Sequence, residues 1–320
     1  MSNFITAPIN ENGIILDPDI GSILKDAMAL PFRFTDVFLY SHGWWTDATG
    51  AAADYNRFSM GFTKQLLEIG AGSPPGLPHL PASSFAAAVH WPSMLSEDQS
   101  SIANYAEALS FYSMAKRADV VGQHGVYSAL RMIFEALAAT TMPPALRLHL
   151  LGHSFGGRVV CSALEQIVED GITISSSVTL DAILLQAAFN DDELAPTGMY
   201  ENVPKLNLRL LVTRSDGDTS LGKWYPIAER LVNLFSGRPV TALGAVGPSA
   251  ATQTAFGGAG AVSVGPGFTY PAVVPLTQRL VVADLSPLHA ASGPGDPFSG
   301  HHSDIYHDEI YQLIAGFFFR

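Results

Sequence analysis

Residues 148–157 read LHLLGHSFGG, an apolar run that breaks into Gly152-His153-Ser154-Phe155-Gly156. Gly-x-Ser-x-Gly between a strand and a helix is the pattern of a sharp turn that lifts a serine hydroxyl clear of a sheet. The serine of such a turn is held in a strained backbone conformation, and glycines on either side let strand and helix approach closely. In a chain with 29 glycines the five letters alone prove little, so the flanks decide. Before the turn, Arg147 and His149 alternate with Leu146, Leu148 and Leu150, the period of a strand. After it, RVVCSALEQI at 158–167 has the apolar spacing of a buried helix. The competing reading is a glycine-rich strand–helix turn without chemistry.

Outward from this turn, short apolar runs alternate with helix-length amphipathic ones, the rhythm of a mainly parallel sheet. Strands are expected at 13–16 (weakly), 36–41, 85–90, 146–151, 180–188, 206–213 and 279–285. Helices are expected at 51–69, across 99–139 with a break near Gly122–Gly125, and at 158–167, 224–235 and 304–319. Residues 73–81 (SPPGLPHLP) are a turn-rich connector. Residues 237–275, rich in Gly, Ala and Pro and without a clear period, are expected to form an ordered flap over the site. The reading is one α/β domain over residues 1–320: an eight-stranded sheet flanked by helices, with a helical insertion at about 97–140 and a flap or cap at about 237–275.

Composition narrows the function. A net charge of −12 argues against nucleic acid or an anionic membrane as partner, since both require clustered Lys and Arg. An apolar content of 48% supplies a large core. Cys161 is the only cysteine, so neither an intrachain disulfide nor a thiolate metal site can form, and it reads as a small buried hydrophobe. The N-terminus lacks a basic start followed by an apolar core, and no run approaches the roughly 18 apolar residues a membrane span requires. The expectation is a cytoplasmic protein without membrane insertion, acting on a small molecule without a cofactor.

If Ser154 is a nucleophile, an acid and then a histidine must follow it along the chain, each after a later strand. Arg214-Ser215-Asp216-Gly217-Asp218 places two carboxylates in a turn after the 206–213 strand, and either can be the acid. Gly300-His301-His302-Ser303-Asp304, followed by His307, lies between the 279–285 strand and the last helix, where a general base would be delivered. A neutral imidazole is needed to take the serine proton, and a buried carboxylate to orient that imidazole. The oxyanion donors would be the amide N–H of Phe155 and that of Trp44, in the His42-Gly43-Trp44-Trp45 loop after the 36–41 strand. Gly43, Trp45 and His153 flank these positions and are the expected substrate contacts.

Other clusters weigh less. The histidines at 301, 302 and 307 lack a supporting carboxylate–histidine spacing elsewhere for a metal site. Asp191-Asp192-Glu193 reads as a solvated loop, and Arg117 as the partner of a core carboxylate before a pocket residue. GGAGAVSVGPG at 257–267 has phosphate-loop glycine spacings but no Lys-Ser/Thr after it.

With these residues in place, the chain resembles the α/β-hydrolase superfamily, and within it serine-hydrolase-like members from bacteria and fungi. The resemblance rests on HGWWTD at 42–47, SFYSMAKRADVVGQHG at 110–125, LHLLGHSFGGRVV at 148–160, LLQAAF at 184–189, TRSDGDTSLGKWYPIAERL at 213–231 and GHHSDI at 300–305. It implies a Ser–Asp–His triad in a hydrolase of carboxylic-ester type. It maps the acid onto Asp218 in preference to Asp216, and the base onto His302 in preference to His301 or His307. The implied activity is hydrolysis of an ester with an uncharged acyl or aromatic group through an acyl-enzyme. The same triad would also serve an amidase, peptidase or acyltransferase, and a silent hydrolase fold used for binding is the alternative outside enzymes.

Overall fold

The computed structural model describes residues 5–17, 34–44, 46–72, 83–94, 105–139, 145–226, 240–269 and 278–319. Its strands are β1 (Ile5–Pro8), β2 (Asp36–Ser41), β3 (Ser84–His90), β4 (Leu146–His153), β5 (Val178–Leu185), β6 (Leu208–Arg214), β7 (Ala259–Ser263) and β8 (Leu280–Asp284). They form one eight-stranded sheet in the order β1-β3-β2-β4-β5-β6-β8-β7. Every neighbouring pair is parallel. The helices are α1 (Ala48–Gly72), α2 (Tyr105–Val120), α3 (Tyr127–Ala138), α4 (Gly156–Glu169), α5 (Leu243–Val246), α6 (Ala250–Ala255), α7 (Ser286–Ala291) and α8 (Asp308–Phe318).

An all-parallel sheet must be covered on both faces, so its strands are apolar in both directions. Val37 and Leu39 of β2, with Leu148 and Leu150 of β4, bury against Met114 and Ala118 of α2, Leu130 and Ile133 of α3, and Val160 and Leu164 of α4. The alternate residues Phe38, Tyr40 and Leu151 bury against Phe58 and Phe62 of α1 and Ile314 and Phe318 of α8. Each such side chain contributes about 2 kcal/mol.

Apolar surface on both faces cannot by itself set strand register. Charged residues near the strand beginnings do. Arg147 lies opposite Asp36 across β4 and β2 and grips it twice, Nε to Oδ1 at 2.7 Å and Nη2 to Oδ2 at 2.8 Å. Arg209 does the same to Asp181 across β6 and β5. His149 sits between them, fully buried, with Nε2 2.9 Å from Asp36 Oδ1 and its ring between Phe38 and Phe318. A slipped register would strand the buried Asp36 and Asp181 carboxylates at a cost of about 3–5 kcal/mol each.

After β2 the chain moves to β3 on one side. It then crosses back through α2 and α3 to β4 and continues the other way to β5 and β6. The order therefore reverses between β2 and β4. Open parallel sheets bind ligands in the crevice at such a switch point, outside the carboxyl ends of the strands.

Several expectations change. The first strand is Ile5–Pro8; residues 13–16 form a turn and a single antiparallel bridge, Ile9 to Ile15. The helical region from 105 is not broken near Gly122–Gly125 but runs through a π-helical turn, Val121–Val126. A Cβ on Gly122 would lie 2.4 Å from the Val159 carbonyl oxygen, so glycine is what lets this turn press onto α4. The segment expected to be a flap is, over 240–269, built into the sheet: it carries α5, α6 and the edge strand β7, which pairs with β8. Its ends at 237–239 and 270–275 lie outside the described residues, as does most of the helix expected at 224–235. No described helix is long and apolar enough to cross a membrane.

Candidate active site

Ser154 follows β4 directly, at the crevice between β2 and β4. Its φ is +56°, in the left-handed region that costs a residue with a side chain about 1–2 kcal/mol. The surroundings enforce it. The Ser154 N–H donates to Leu185 O at 3.0 Å, and its carbonyl accepts from Gly157 N at 3.0 Å and Ala188 N at 3.2 Å. Gly156 makes the turn possible, because a Cβ there would fall 2.1 Å from Ser41 O.

His302 reaches Ser154 from the loop before α8, with Nε2 2.8 Å from Ser154 Oγ. Its Nδ1 lies 2.7 Å from Asp218 Oδ2. A carboxylate only accepts, so Nδ1 carries the proton and Nε2 is left to accept the serine O–H. Asp218 is buried, and Leu221 N–H donates to its other oxygen at 2.9 Å. Asp216 points away: it is 74% exposed and pairs with Arg214 at 2.9 Å. His301 and His307 both turn to Asp304, at 3.1 and 2.8 Å.

The two loops that carry Asp218 and His302 are joined to each other. Asp218 and Gly300 form an antiparallel bridge, and His301 N–H donates to Gly217 O at 3.0 Å. Ser215 Oγ accepts from Gly217 N at 3.1 Å and lies 2.7 Å from His289 Nδ1. His289 Nε2 donates to Asp304 O at 3.2 Å, which leaves Nδ1 as the acceptor of the Ser215 hydroxyl. Burial lowers the His289 pKa and keeps that ring neutral for this role.

Phe155 is the N-cap of α4, where the first N–H groups of a helix have no internal acceptor and the helix dipole is positive. Among the described residues its N–H finds no acceptor. On the facing side, Gly43 is pressed against Ser154: a Cβ there would lie 2.7 Å from Ser154 Cβ. His42 locks this loop. Its N–H donates to Tyr55 Oη at 3.0 Å, its C=O accepts from Trp91 Nε1 at 3.2 Å, and its Nδ1 donates to Gly43 O at 2.7 Å. A trans peptide points its C=O and N–H in opposite directions, so holding the Gly43 carbonyl also fixes the direction of the Trp44 N–H. Burial, with the ring stacked on Trp91, pushes the His42 pKa down to about 3.

Of the expected substrate contacts, Gly43 abuts Ser154, and Trp45 lies outside the described residues. His153 takes a different part: its Nε2 donates to the His302 carbonyl at 2.9 Å, propping the loop that carries His302. Burial lowers its pKa to about 4, and the nearby His302 ring adds to this. Arg117 pairs with the exposed Glu11 at 3.6 Å and not with a core carboxylate, and it donates to the carbonyls of Pro92 and Met94 at 2.8 and 3.2 Å. Asp191 accepts from Thr241 Oγ1 at 2.8 Å. Among the described residues no group of His, Cys, Asp or Glu is arranged to hold a metal ion.

The residue that sequence reading missed is Gln186. It is fully buried, and its Nε2 donates to Asp218 Oδ2 at 2.9 Å and to His301 O at 3.1 Å. The available signal was a lone amide in the apolar run LLQAAF, where a strand ends.

Among solved structures, the chain is similar to a protein described as a cell surface hydrolase from Lactobacillus plantarum, at 12% identity over 58% of this chain and 70% of that one, with a TM-score of 0.26. It is also similar to a dienelactone hydrolase from Anabaena variabilis, at 13% identity over 90% of this chain and 87% of that one, with a TM-score of 0.33. Both likenesses are too loose to bear on chemistry. No curated protein matches the sequence. Residues 88–252, just over half of the chain and including the serine turn, Gln186 and Asp218, match the family described as alpha/beta hydrolase of unknown function (DUF900), and the chain belongs to that family.

Proposed function

We propose that the protein is a serine hydrolase that cleaves a carboxylic ester through an acyl-enzyme, with Ser154 as nucleophile, His302 as general base and acid, and Asp218 as its orienting carboxylate. The observation that carries this reading is the hydrogen-bonded series from Ser154 Oγ through His302 to Asp218 Oδ2, at 2.8 and 2.7 Å. In the first half-reaction Ser154 Oγ bonds to the ester carbonyl carbon while its proton passes to His302 Nε2. The carbonyl oxygen takes up the electron pair and is held by the Phe155 and Trp44 N–H groups. Collapse breaks the bond to the alkoxide, which leaves with the proton from His302. Water then repeats the sequence, releases the acid and restores the serine.

The ester's acyl or aromatic portion is uncharged in this reading. Supporting it, the rings of Trp44, Phe111, Phe155 and Tyr225 pack together on the helix side of the nucleophile turn. The test is labelling with a fluorophosphonate, read by intact mass on wild type and Ser154→Ala, followed by an ester panel. One adduct on Ser154, absent from the mutant, with ester turnover reduced by about a thousandfold or more, is the expected result. Ester hydrolysis that survives Ser154→Ala would overturn the proposal.

A further inference from the structure

We infer that Gln186 is a positioning residue of the triad. Its side-chain amide holds the Asp218 carboxylate and the backbone next to His302 in one fixed relation. The inference rests on the serine-hydrolase reading above and adds a residue to it.

The first observation is where the amide sits. Gln186 follows β5 among residues that are all apolar from Ala182 to Phe189 apart from itself, and it is fully buried. Its φ is +44°, a left-handed conformation that long side chains rarely adopt. Room is made for it on the opposite wall. Gly244 backs onto it so closely that a Cβ at 244 would lie 2.4 Å from the Gln186 carbonyl carbon. Its own N–H donates to Thr213 Oγ1 at 2.9 Å, tying the end of β5 to the end of β6, from which the acid turn springs. A strained, crowded and buried position of this kind would suit glycine better, unless the amide is needed.

The second observation is what the amide does. Both neighbours of Nε2, Asp218 Oδ2 and the His301 carbonyl, can only accept, so the amide has one workable orientation. Among the described residues its Oε1 is consequently left buried without a partner. The group is thus held for its two donors alone. One of them shares Asp218 Oδ2 with His302 Nδ1, and among the described residues only Leu221 N–H anchors the other carboxylate oxygen. Without Gln186 the carboxylate can rotate about its Cβ–Cγ bond and turn away from Nδ1. The second donor holds the carbonyl of His301, the residue before His302. One amide therefore fixes both ends of the acid–base contact. The other titratable side chains at this corner are His301, turned toward Asp304, and His153, whose ring lies 5.2 Å from that of His302.

Two substitutions separate positioning from folding. Gln186→Met keeps the volume and removes both donors. Gln186→Asn keeps an amide one methylene too short to reach Asp218, and asparagine tolerates the left-handed backbone better than glutamine. Three things are measured on each: kcat and KM separately on an ester turned over by wild type, the thermal midpoint, and the low-field proton resonance of His302 Nδ1–H. Both variants are expected to lose about 10- to 100-fold in kcat. KM should stay within about twofold, the sign of an interaction exerted in the transition state. The low-field resonance should shift or broaden, and Gln186→Asn should stay folded with its midpoint lowered by about 10 °C or less. A Gln186→Asn protein with wild-type kcat and an unshifted resonance would overturn the inference, as would a loss confined to the thermal midpoint. Ser154→Ala is the control: turnover surviving there defeats the serine-hydrolase reading itself. An inactive Ser154→Ala beside a fully active Gln186→Asn defeats only the role of Gln186.

Discussion

Gly43→Ala adds a single methyl group at the narrowest point of the site. That Cβ would sit 2.7 Å from Ser154 Cβ, 3.2 Å from His153 O and 3.3 Å from Ser154 Oγ. Carbon atoms rest about 3.5–4.0 Å apart, so the loop and the nucleophile must separate by about 1 Å. The Gly43 backbone is outside the glycine-only region, so alanine brings no strain of its own and the effect is steric. The frame offers little relief. Ser41 and Gly152 are paired across β2 and β4, His42 is locked through its backbone and its ring, and the Ser154 backbone is bonded at both ends. What yields is the Ser154 side chain or the Trp44 amide, and either displaces a reacting group by about 1 Å. A misplacement of that size costs about 100-fold in rate, and loss of one oxyanion donor costs about 3 kcal/mol, which is the same order. Overpacking should also lower stability by about 1–3 kcal/mol. The assay is kcat/KM on an ester together with the rate of fluorophosphonate labelling, on protein shown by thermal melting to be folded. Folded Gly43→Ala with kcat/KM within about threefold of wild type would refute the reasoning, because the loop would then not bear on the reacting atoms.

Asp218→Asn should lower kcat by about ten-thousandfold, because an amide facing Nδ1 favours the wrong imidazole tautomer. Asp216→Asn should change it less than about twofold, since that carboxylate is exposed and pairs with Arg214 on the surface; equal losses would mean that the acid had been misassigned. Stability should fall as pH drops below about 6.5. His42 stays neutral in the fold down to about pH 3, while an unfolded histidine takes up a proton near 6.5. Its folded pKa is depressed, so its contribution is complete above the unfolded value and is lost as pH falls toward the folded one. That is a slope of about 1.4 kcal/mol per pH unit, or about 2 kcal/mol between pH 6.5 and 5. His153, lowered to about 4, acts in the same direction. Urea unfolding at pH 7 and pH 5 reads the difference, and equal stability at both would show that His42 accepts a proton within the fold.

Much of this protein is legible along the chain because its determinants are local. The serine turn depends on glycines beside Ser154 and on apolar periods that change from strand to helix within a dozen residues. The α/β class follows from that alternation, and the resemblance to α/β-hydrolases from motifs such as the serine turn at 152–156 and GHHSDI at 300–305. The order Ser154, Asp218, His302 is also a property of the linear sequence, since each residue falls just after a strand-like run. Periodicity failed where tertiary contacts override it. The strand at 259–263 was hidden in a Gly- and Ala-rich stretch, because an edge strand needs one partner, β8, more than it needs an apolar pattern. The π-helical turn at 121–126 reads as a helix break until α4 is seen pressed against Gly122.

The sequence by itself thus determined the class of fold, the family and the residues able to serve as nucleophile, acid and base, because composition, period and chain order are one-dimensional quantities. Spacing left Asp216 and Asp218 and three histidines open, and the resemblance preferred Asp218 and His302; the tertiary structure decided which of them meet. It turned Asp218 inward and Asp216 outward, set His302 rather than His301 beside Ser154, and made His153 a prop for the base loop. It also brought Gln186, 32 residues away along the chain, onto the carboxylate it braces. Those choices depend on how loops from five separate strands converge at one edge of a sheet. Hydrogen-bond partners distant in sequence leave no period for a linear reading to detect.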